Sequence, residues 1–258
     1  MNASVGRRRT ALVLIMCLGA CCALVGCGML LESLGALTAI ERMQDAVREP
    51  DGSINLGRMP QIAPGAQAWL TVDSAGMSLP VAQGGQGDPT YYLSHDINGK
   101  DSPAGTPFID WRCWEATTEC PQHLLVYGHH LGVTGGMFSP LYHCWRQGEF
   151  ERLCASGADW YEPSARARHF MPLCALRVRE DYAPIQVFSW QDLDHLRTWL
   201  YDIAQRSSAA VPDWERVARG ATRCLTLVTC SSDLPGQGWR TLVLFVEDTS
   251  STCGEINT

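Results

Sequence analysis

Apolar residues change their spacing three times along this chain. Thr10 to Leu31 is an uncharged run of 22 residues, mostly Ala, Leu, Val, Cys and Gly. A bilayer core calls for roughly 20 such residues. From there the apolar positions fall at Leu31, Leu34, Leu37, Ile40, Met43 and Val47, a helical period. They predict a juxtamembrane helix that stops before Glu49-Pro50. Pro and Gly then crowd residues 50–66, which read as a connector. From Trp69 onward the runs are short and separated by turn residues. Ala68–Val72, Leu79–Val81, Pro107–Asp110, His123–Tyr127, His169–Val178, Cys224–Thr229 and Arg240–Val246 are predicted strands. One helix interrupts them, with Ser189 as its cap, Asp192 three residues on, and a stripe of Leu193, Leu196, Leu200 and Ile203. A second short helix is predicted over Met137–Arg146. Many short strands with few helices imply a mainly β barrel or sandwich.

Charge gives the N-terminal run a direction. Arg7, Arg8 and Arg9 precede it, which keeps that end in the cytoplasm and sends the rest of the chain outside. Residues 1–9 are then a cytoplasmic N-terminus, 10–31 a transmembrane anchor, 32–66 a juxtamembrane helix and linker, and 67–258 the working domain. Two other readings share the same outcome. The run could be a cleaved secretory peptide. Leu24-Val25-Gly26-Cys27 also fits a lipoprotein cleavage site, with Cys27 lipidated, although apolar character continues through Met29, Leu30 and Leu31. All three readings export the body of the protein.

Composition narrows the partners. The 258 residues carry 20 basic and 27 acidic side chains, a net charge of −7. The exported part is more acidic still, which argues against nucleic acid as a partner. The 12 cysteines are many for a cytosolic protein and suit export. Four of them (Cys17, Cys21, Cys22, Cys27) lie in the apolar run. Cys113–Cys120, Cys144–Cys154 and Cys174–Cys224 are conceivable disulfides, and small buried thiols are the alternative for each. Cys253 is left over. His123, His129, His130 and His143 match no dependable zinc spacing, so neither metal nor cofactor is expected.

Three residues stand where chemistry is usually presented. Cys230 ends the β-branched run Leu225-Thr226-Leu227-Val228-Thr229-Cys230, and His129 ends Leu124-Leu125-Val126-Tyr127-Gly128-His129. Arg240 opens the strand that follows Cys230, so the two should lie side by side on antiparallel neighbours. A thiol attacks well only as thiolate, and an imidazole can take its proton or protonate a leaving amine. A guanidinium offers fixed donors to an oxyanion. Singly, each residue has a plainer role, as a structural thiol, a satisfied core histidine or a solvated arginine. Together they suit acyl transfer through a thioester.

These segments resemble the sortases, and among them class B. Thr226-Leu227-Val228-Thr229-Cys230, with Arg240 ten residues later, is similar to the family's TLxTC signature, and Tyr127-Gly128-His129 to its YGH motif. Gly136-Met137-Phe138, Leu141, Pro80-Val81-Ala82-Gln83, Tyr91-Tyr92-Leu93 and Gly105-Thr106-Pro107-Phe108-Ile109-Asp110 resemble further class B segments. The likeness runs from Trp69 to Val246. Val228, His130 and Cys144 depart from it, standing where Ser, Asn and Tyr are common. The resemblance implies a closed mixed β-barrel with N-terminal helices and a long helix before the Cys-bearing strand. It also implies a membrane-anchored cysteine transpeptidase of a Gram-positive bacterium. Such an enzyme cuts a C-terminal sorting signal of secreted proteins and passes the acyl group to an amine of a cell-wall precursor or a pilin lysine. Cys230 would be nucleophile, His129 general acid/base, Arg240 oxyanion or substrate clamp, and Thr229 a weaker supporting contact. Two other functions remain: a hydrolytic cysteine peptidase using the same residues, and a non-catalytic exported binding lipoprotein.

Overall fold

The computed structural model of this chain describes residues 2–50, 52–115, 122–132, 134–163, 167–230 and 237–248. In chain order the elements are α1 (Asn2–Val47), α2 (Met59–Ile62), β1 (Ala66–Val72), β2 (Met77–Gln83), β3 (Phe108–Ile109), α3 (Arg112–Glu115), β4 (His123–Tyr127), α4 (Gln147–Leu153), β5 (Ala158–Tyr161), β6 (Arg168–Arg179), α5 (Leu193–Gln205), β7 (Ala209–Ala210), α6 (Trp214–Gly220), β8 (Ala221–Cys230) and β9 (Trp239–Asp248). The strands run side by side in the order β5-β1-β2-β3-β4-β8-β9-β6-β7. β5 also pairs with β6, through Ala158↔Phe170 to Trp160↔Arg168, and this closes eight strands into a barrel with β7 as an appendage on β6. The β2–β3 and β4–β8 pairs are parallel and the rest antiparallel, so the barrel is mixed. Closure leaves few open strand edges to satisfy.

All seven predicted strands form, each within a few residues of its expected bounds. β5 and β7 were not foreseen, because runs of four and two residues are too short to show a period. The two expected N-terminal helices are one. α1 has 46 residues, roughly 69 Å at 1.5 Å per residue. From Leu12 it is long and apolar enough to cross a membrane, and Leu12, Leu18, Leu24 and Leu31 are exposed. Its far end docks on the barrel. Val47 is fully buried, Ala36 and Ile40 pack against the barrel core, and Gln44 Nε2 donates to the Ser78 carbonyl at 2.5 Å. Leu37 lies so close to Gly136 that a Cβ there would sit 2.1 Å from Leu37 Cδ2.

Two helix expectations need correction. Between Met137 and Arg146 there is only a 3₁₀ turn, Ser139–Leu141, and the α-helix begins at Gln147. Pro140 has no N–H, and its fixed φ suits the first turn of a helix rather than its middle. The helix expected to be capped by Ser189 is α5, and its cap is Asp192, whose carboxylate accepts the His195 N–H at 2.9 Å. Leu196, Leu200 and Ile203 are buried as the stripe predicts, whereas Leu193 is on the solvent side.

His123 opens β4 inside the core and is wholly buried. Its Nδ1–H donates to the Val187 carbonyl at 2.7 Å, and Nε2 lies 2.8 Å from the Thr226 hydroxyl. Burial pulls its pKa down to about 4, against the weaker opposing effects of the Val187 bond and Asp110. The unfolded chain would protonate this imidazole near pH 6.5. Between these values the unfolded state holds a proton that the folded state refuses, so stability falls as the solution is acidified. Urea titrations should show a loss approaching about 3 kcal/mol between pH 6.5 and 4. His123→Gln should remove most of that slope, and an unchanged slope would show that other groups govern it.

Candidate active site

The barrel brings three strand ends to one place. β4 and β8 run parallel in register from His123↔Cys224 to Tyr127↔Val228, and the Gly128 N–H extends the ladder to the Val228 carbonyl at 3.0 Å. β8 and β9 run antiparallel, and their last rung is Cys230↔Arg240. β8 therefore carries Cys230 between a His-bearing neighbour and an Arg-bearing one, with strands roughly 4.8 Å apart. Cys230, His129 and Arg240 line one cleft of about 510 Å³, together with Thr229, Val228, Tyr127, Gly128, Leu93 and Glu180. A larger cavity of about 600 Å³ lies between α1 and the 94–107 loop, but no Cys or His lines it.

His129 is held from behind. Its Nε2 is 2.7 Å from the Leu93 carbonyl, which can only accept, so the proton sits on Nε2 and Nδ1 is the basic nitrogen. Gly105 has φ +61°, and a Cβ there would lie 3.0 Å from His129 Cδ2 and 2.6 Å from the Tyr92 carbonyl. Only a residue without a side chain lets this loop approach the ring so closely. Gly128 is needed for a similar reason, since a Cβ there would lie 2.5 Å from the ring of the fully buried Phe138. The chain returns to Phe138 through Met137, the one non-glycine residue with positive φ (54°) among those described. Next to His129, His130 pairs with Met137 and packs its ring on Tyr142, ring centroids 4.0 Å apart, and it is not among the residues lining the cleft.

The Arg240 guanidinium is held by two neighbours. Its Nη2 donates to Glu180 Oε2 at 2.9 Å, and its Nη1 to the Trp239 carbonyl at 3.0 Å. Thr229 is buried, and its hydroxyl has no hydrogen-bond partner among the described residues. Farther along the cleft, Arg112 grips Asp110 with two bonds, Nε to Oδ1 at 2.9 Å and Nη2 to Oδ2 at 2.7 Å. The Tyr127 hydroxyl donates to the same carboxylate at 3.3 Å, and burial followed by the Asp110 charge pushes its pKa up. The Arg112 Nη1 continues to Gln186 Oε1 at 3.0 Å.

Glu180 and Arg112 line the cleft without being marked in the sequence, and Leu93 stands there only as part of the class B-like segment Tyr91-Tyr92-Leu93. Leu93 acts through its backbone carbonyl, which side-chain patterns cannot reveal. Arg112 stands two residues after Asp110, a spacing that could have suggested their pairing. Glu180 lies 60 residues from its partner Arg240, and nothing local marks it.

All ten described cysteines are free thiols. Cys144 and Cys154 are not bridged, nor are Cys174 and Cys224, because β9 runs between the strands that carry the latter two. Cys113 is a buried thiol that accepts the Leu125 N–H at 3.3 Å, while its expected partner Cys120 and the leftover Cys253 lie outside the described residues. Burial raises the pKa of Cys113, Cys144 and Cys224 to about 12 and that of Cys154 to about 11, and lifts Cys174 as well.

Neither the protein-family models nor the curated proteins give a match to this chain. Solved structures do. Sortase B from B. anthracis in complex with AAEK1 superposes over 85% of this chain and 99% of its own, with a TM-score of 0.66 at 17% identity. The Staphylococcus aureus sortase B–substrate complex covers 83% of this chain and 91% of its own, with a TM-score of 0.61 at 18% identity. Clostridium perfringens sortase B covers 74% and 97%, with a TM-score of 0.61 at 21% identity. The chain has the sortase B fold.

Proposed function

We propose that this chain is a membrane-anchored cysteine transpeptidase that acts on C-terminal sorting signals of exported proteins. The observation that carries this reading is the cleft in which a thiol, an imidazole and a guanidinium end three adjoining strands. The Cys230 thiolate attacks the carbonyl carbon of the Thr at the cleavage position in the signal, and the bond from that carbon to the next residue's nitrogen breaks. Arg240 steadies the oxyanion or clamps the substrate backbone. His129 gives its proton to the departing amine, leaving an acyl thioester on Cys230. It then takes a proton from the incoming amine, of a wall precursor or a pilin lysine, as that amine displaces the thiolate. Thr229 supports the nucleophile from the next position along β8. No step in this scheme calls on a metal or cofactor.

The apolar length of α1 supports a membrane segment over residues 10–31, read here as an uncleaved span with residues 1–9 cytoplasmic and the catalytic domain, 67–258, outside the cell. Lipidation at Cys27 would put the same domain on the same side of the membrane. Fractionation of cells expressing the full chain, with protease added outside, should degrade the barrel and spare the first residues.

The deciding experiment offers the purified full chain a pool of peptides with Thr at the cleavage position, with and without triglycine. Transfer predicts a new amide with triglycine and faster release of the leaving peptide. Hydrolysis alone, indifferent to triglycine, would instead make this a cysteine peptidase. Peptide left intact, with no mass adduct on the protein, would favour a non-catalytic binding protein.

A further inference from the structure

We propose that Glu180 is a positioning residue that holds the Arg240 guanidinium at the mouth of the cleft for acyl transfer, an inference that rests on the transpeptidase reading. Three strands share one rung here. Cys230 on β8 faces Arg240 on β9, which faces Val178 on β6. Glu180 lies two residues beyond Val178, in the turn that begins where β6 ends. Its carboxylate takes the Arg240 Nη2–H at 2.9 Å.

The backbone around Glu180 is clipped to the start of β9. The Glu180 N–H donates to the Gly238 carbonyl at 2.8 Å, and Arg179 Nη1 to the Gln237 carbonyl at 2.8 Å. Gly238 has φ +65°, and a Cβ there would lie 3.0 Å from Arg179 Nη2 and 3.3 Å from Glu180 Oε1. The backbone that carries the Glu180 carboxylate is therefore fixed relative to the start of β9. Arg240 spends one N–H on that carboxylate and one on the Trp239 carbonyl, out of five. Donors therefore remain for a substrate carbonyl, in an orientation that the ion pair sets. Freed of Glu180, a long arginine side chain would sample many rotamers, and an oxyanion donor counts only while it points at the oxygen.

Exposure separates this role from a structural one. The two side chains are 30% and 56% exposed, and pairs so open to water add little to stability. Glu180→Gln should therefore leave the unfolding temperature and the rate of Cys230 alkylation unchanged. With the full chain in detergent and the Thr-containing peptide pool, its kcat for acylation should fall about tenfold while KM stays within about twofold. Glu180→Asp, which keeps the charge on a shorter arm, should recover part of the loss. In an Arg240→Lys background, Glu180→Gln should cost nothing further, because its effect runs through the guanidinium. A Glu180→Gln enzyme with unchanged or higher kcat, or with full additivity in that background, overturns the positioning role. A wild-type chain that is never acylated overturns the transpeptidase reading, and this inference with it.

Discussion

Cys230→Ala eliminates the acyl-enzyme and every product that depends on it. Removal of the nucleophile from a covalent triad lowers turnover on the order of 10⁶-fold, which for this chain means no detectable cleavage. No neighbour can take over. Among the described residues Cys230 is the one thiol that lines the cleft. Burial holds Cys113, Cys144 and Cys224 near pKa 12, so fewer than about one in 10⁴ of those thiols is ionised at pH 7.5. Cys154, at about 11, is only a little better placed. Intact-mass spectrometry after mixing with peptide should show an adduct on the wild type and none on Cys230→Ala. Thiol alkylation under native conditions should label Cys230 ahead of these four. An alanine variant that still forms the adduct would move the nucleophile elsewhere and undo the transpeptidase reading.

What made the cleft legible in the sequence was the regularity of its scaffold. Leu124–Tyr127 of β4 and Cys224–Cys230 of β8 are uncharged runs rich in Leu, Val and Thr, and a run of that kind shows where it stops. Cys230 and His129 were conspicuous because each stands at such a stop, and Arg240 because it opens the strand next door. The pairing that joins them is longer in range. Nothing in residues 123–129 says that β4 lies beside β8, about 100 positions later, and parallel to it. Here the resemblance to class B sortases supplied what periodicity could not. The failures were also physical. Short strands such as β7 carry no period at all. The expected helix over Met137–Arg146 misread apolar residues whose spacing serves a tight return, in which Met137 takes a left-handed conformation and Phe138 covers Gly128. Contacts made by the backbone, as at Leu93, leave no trace in side-chain pattern. Ion pairs across the fold, as between Glu180 and Arg240, become visible only once the strands are in order.

His129→Ala should be the second most damaging change, lowering kcat for peptide cleavage by about 10³-fold, within the range for loss of a positioned acid/base. The attacking thiol loses the base that can take its proton, and the departing amine loses its proton donor, so both halves of the reaction suffer. Binding should suffer less, because the imidazole is half-buried at the edge of the cleft and the Leu93 carbonyl it releases can turn to water. KM should therefore stay within about threefold, since the lost interaction belongs to the transition state. Deleting the ring also leaves a space beside Leu93 and Gly105 of the same shape as imidazole. Free imidazole added at tens of millimolar should restore part of the rate in His129→Ala and none in Cys230→Ala. A His129→Ala enzyme within threefold of wild type, or one indifferent to imidazole while equally slow with every nucleophile, would assign the proton to another group. Among the described residues that line the cleft, Asp110 is gripped by Arg112 and Glu180 is paired with Arg240, which leaves Tyr127, whose hydroxyl is already committed to Asp110 with its pKa raised. Its proton is therefore too tightly held to serve a thiol or an amine near neutral pH.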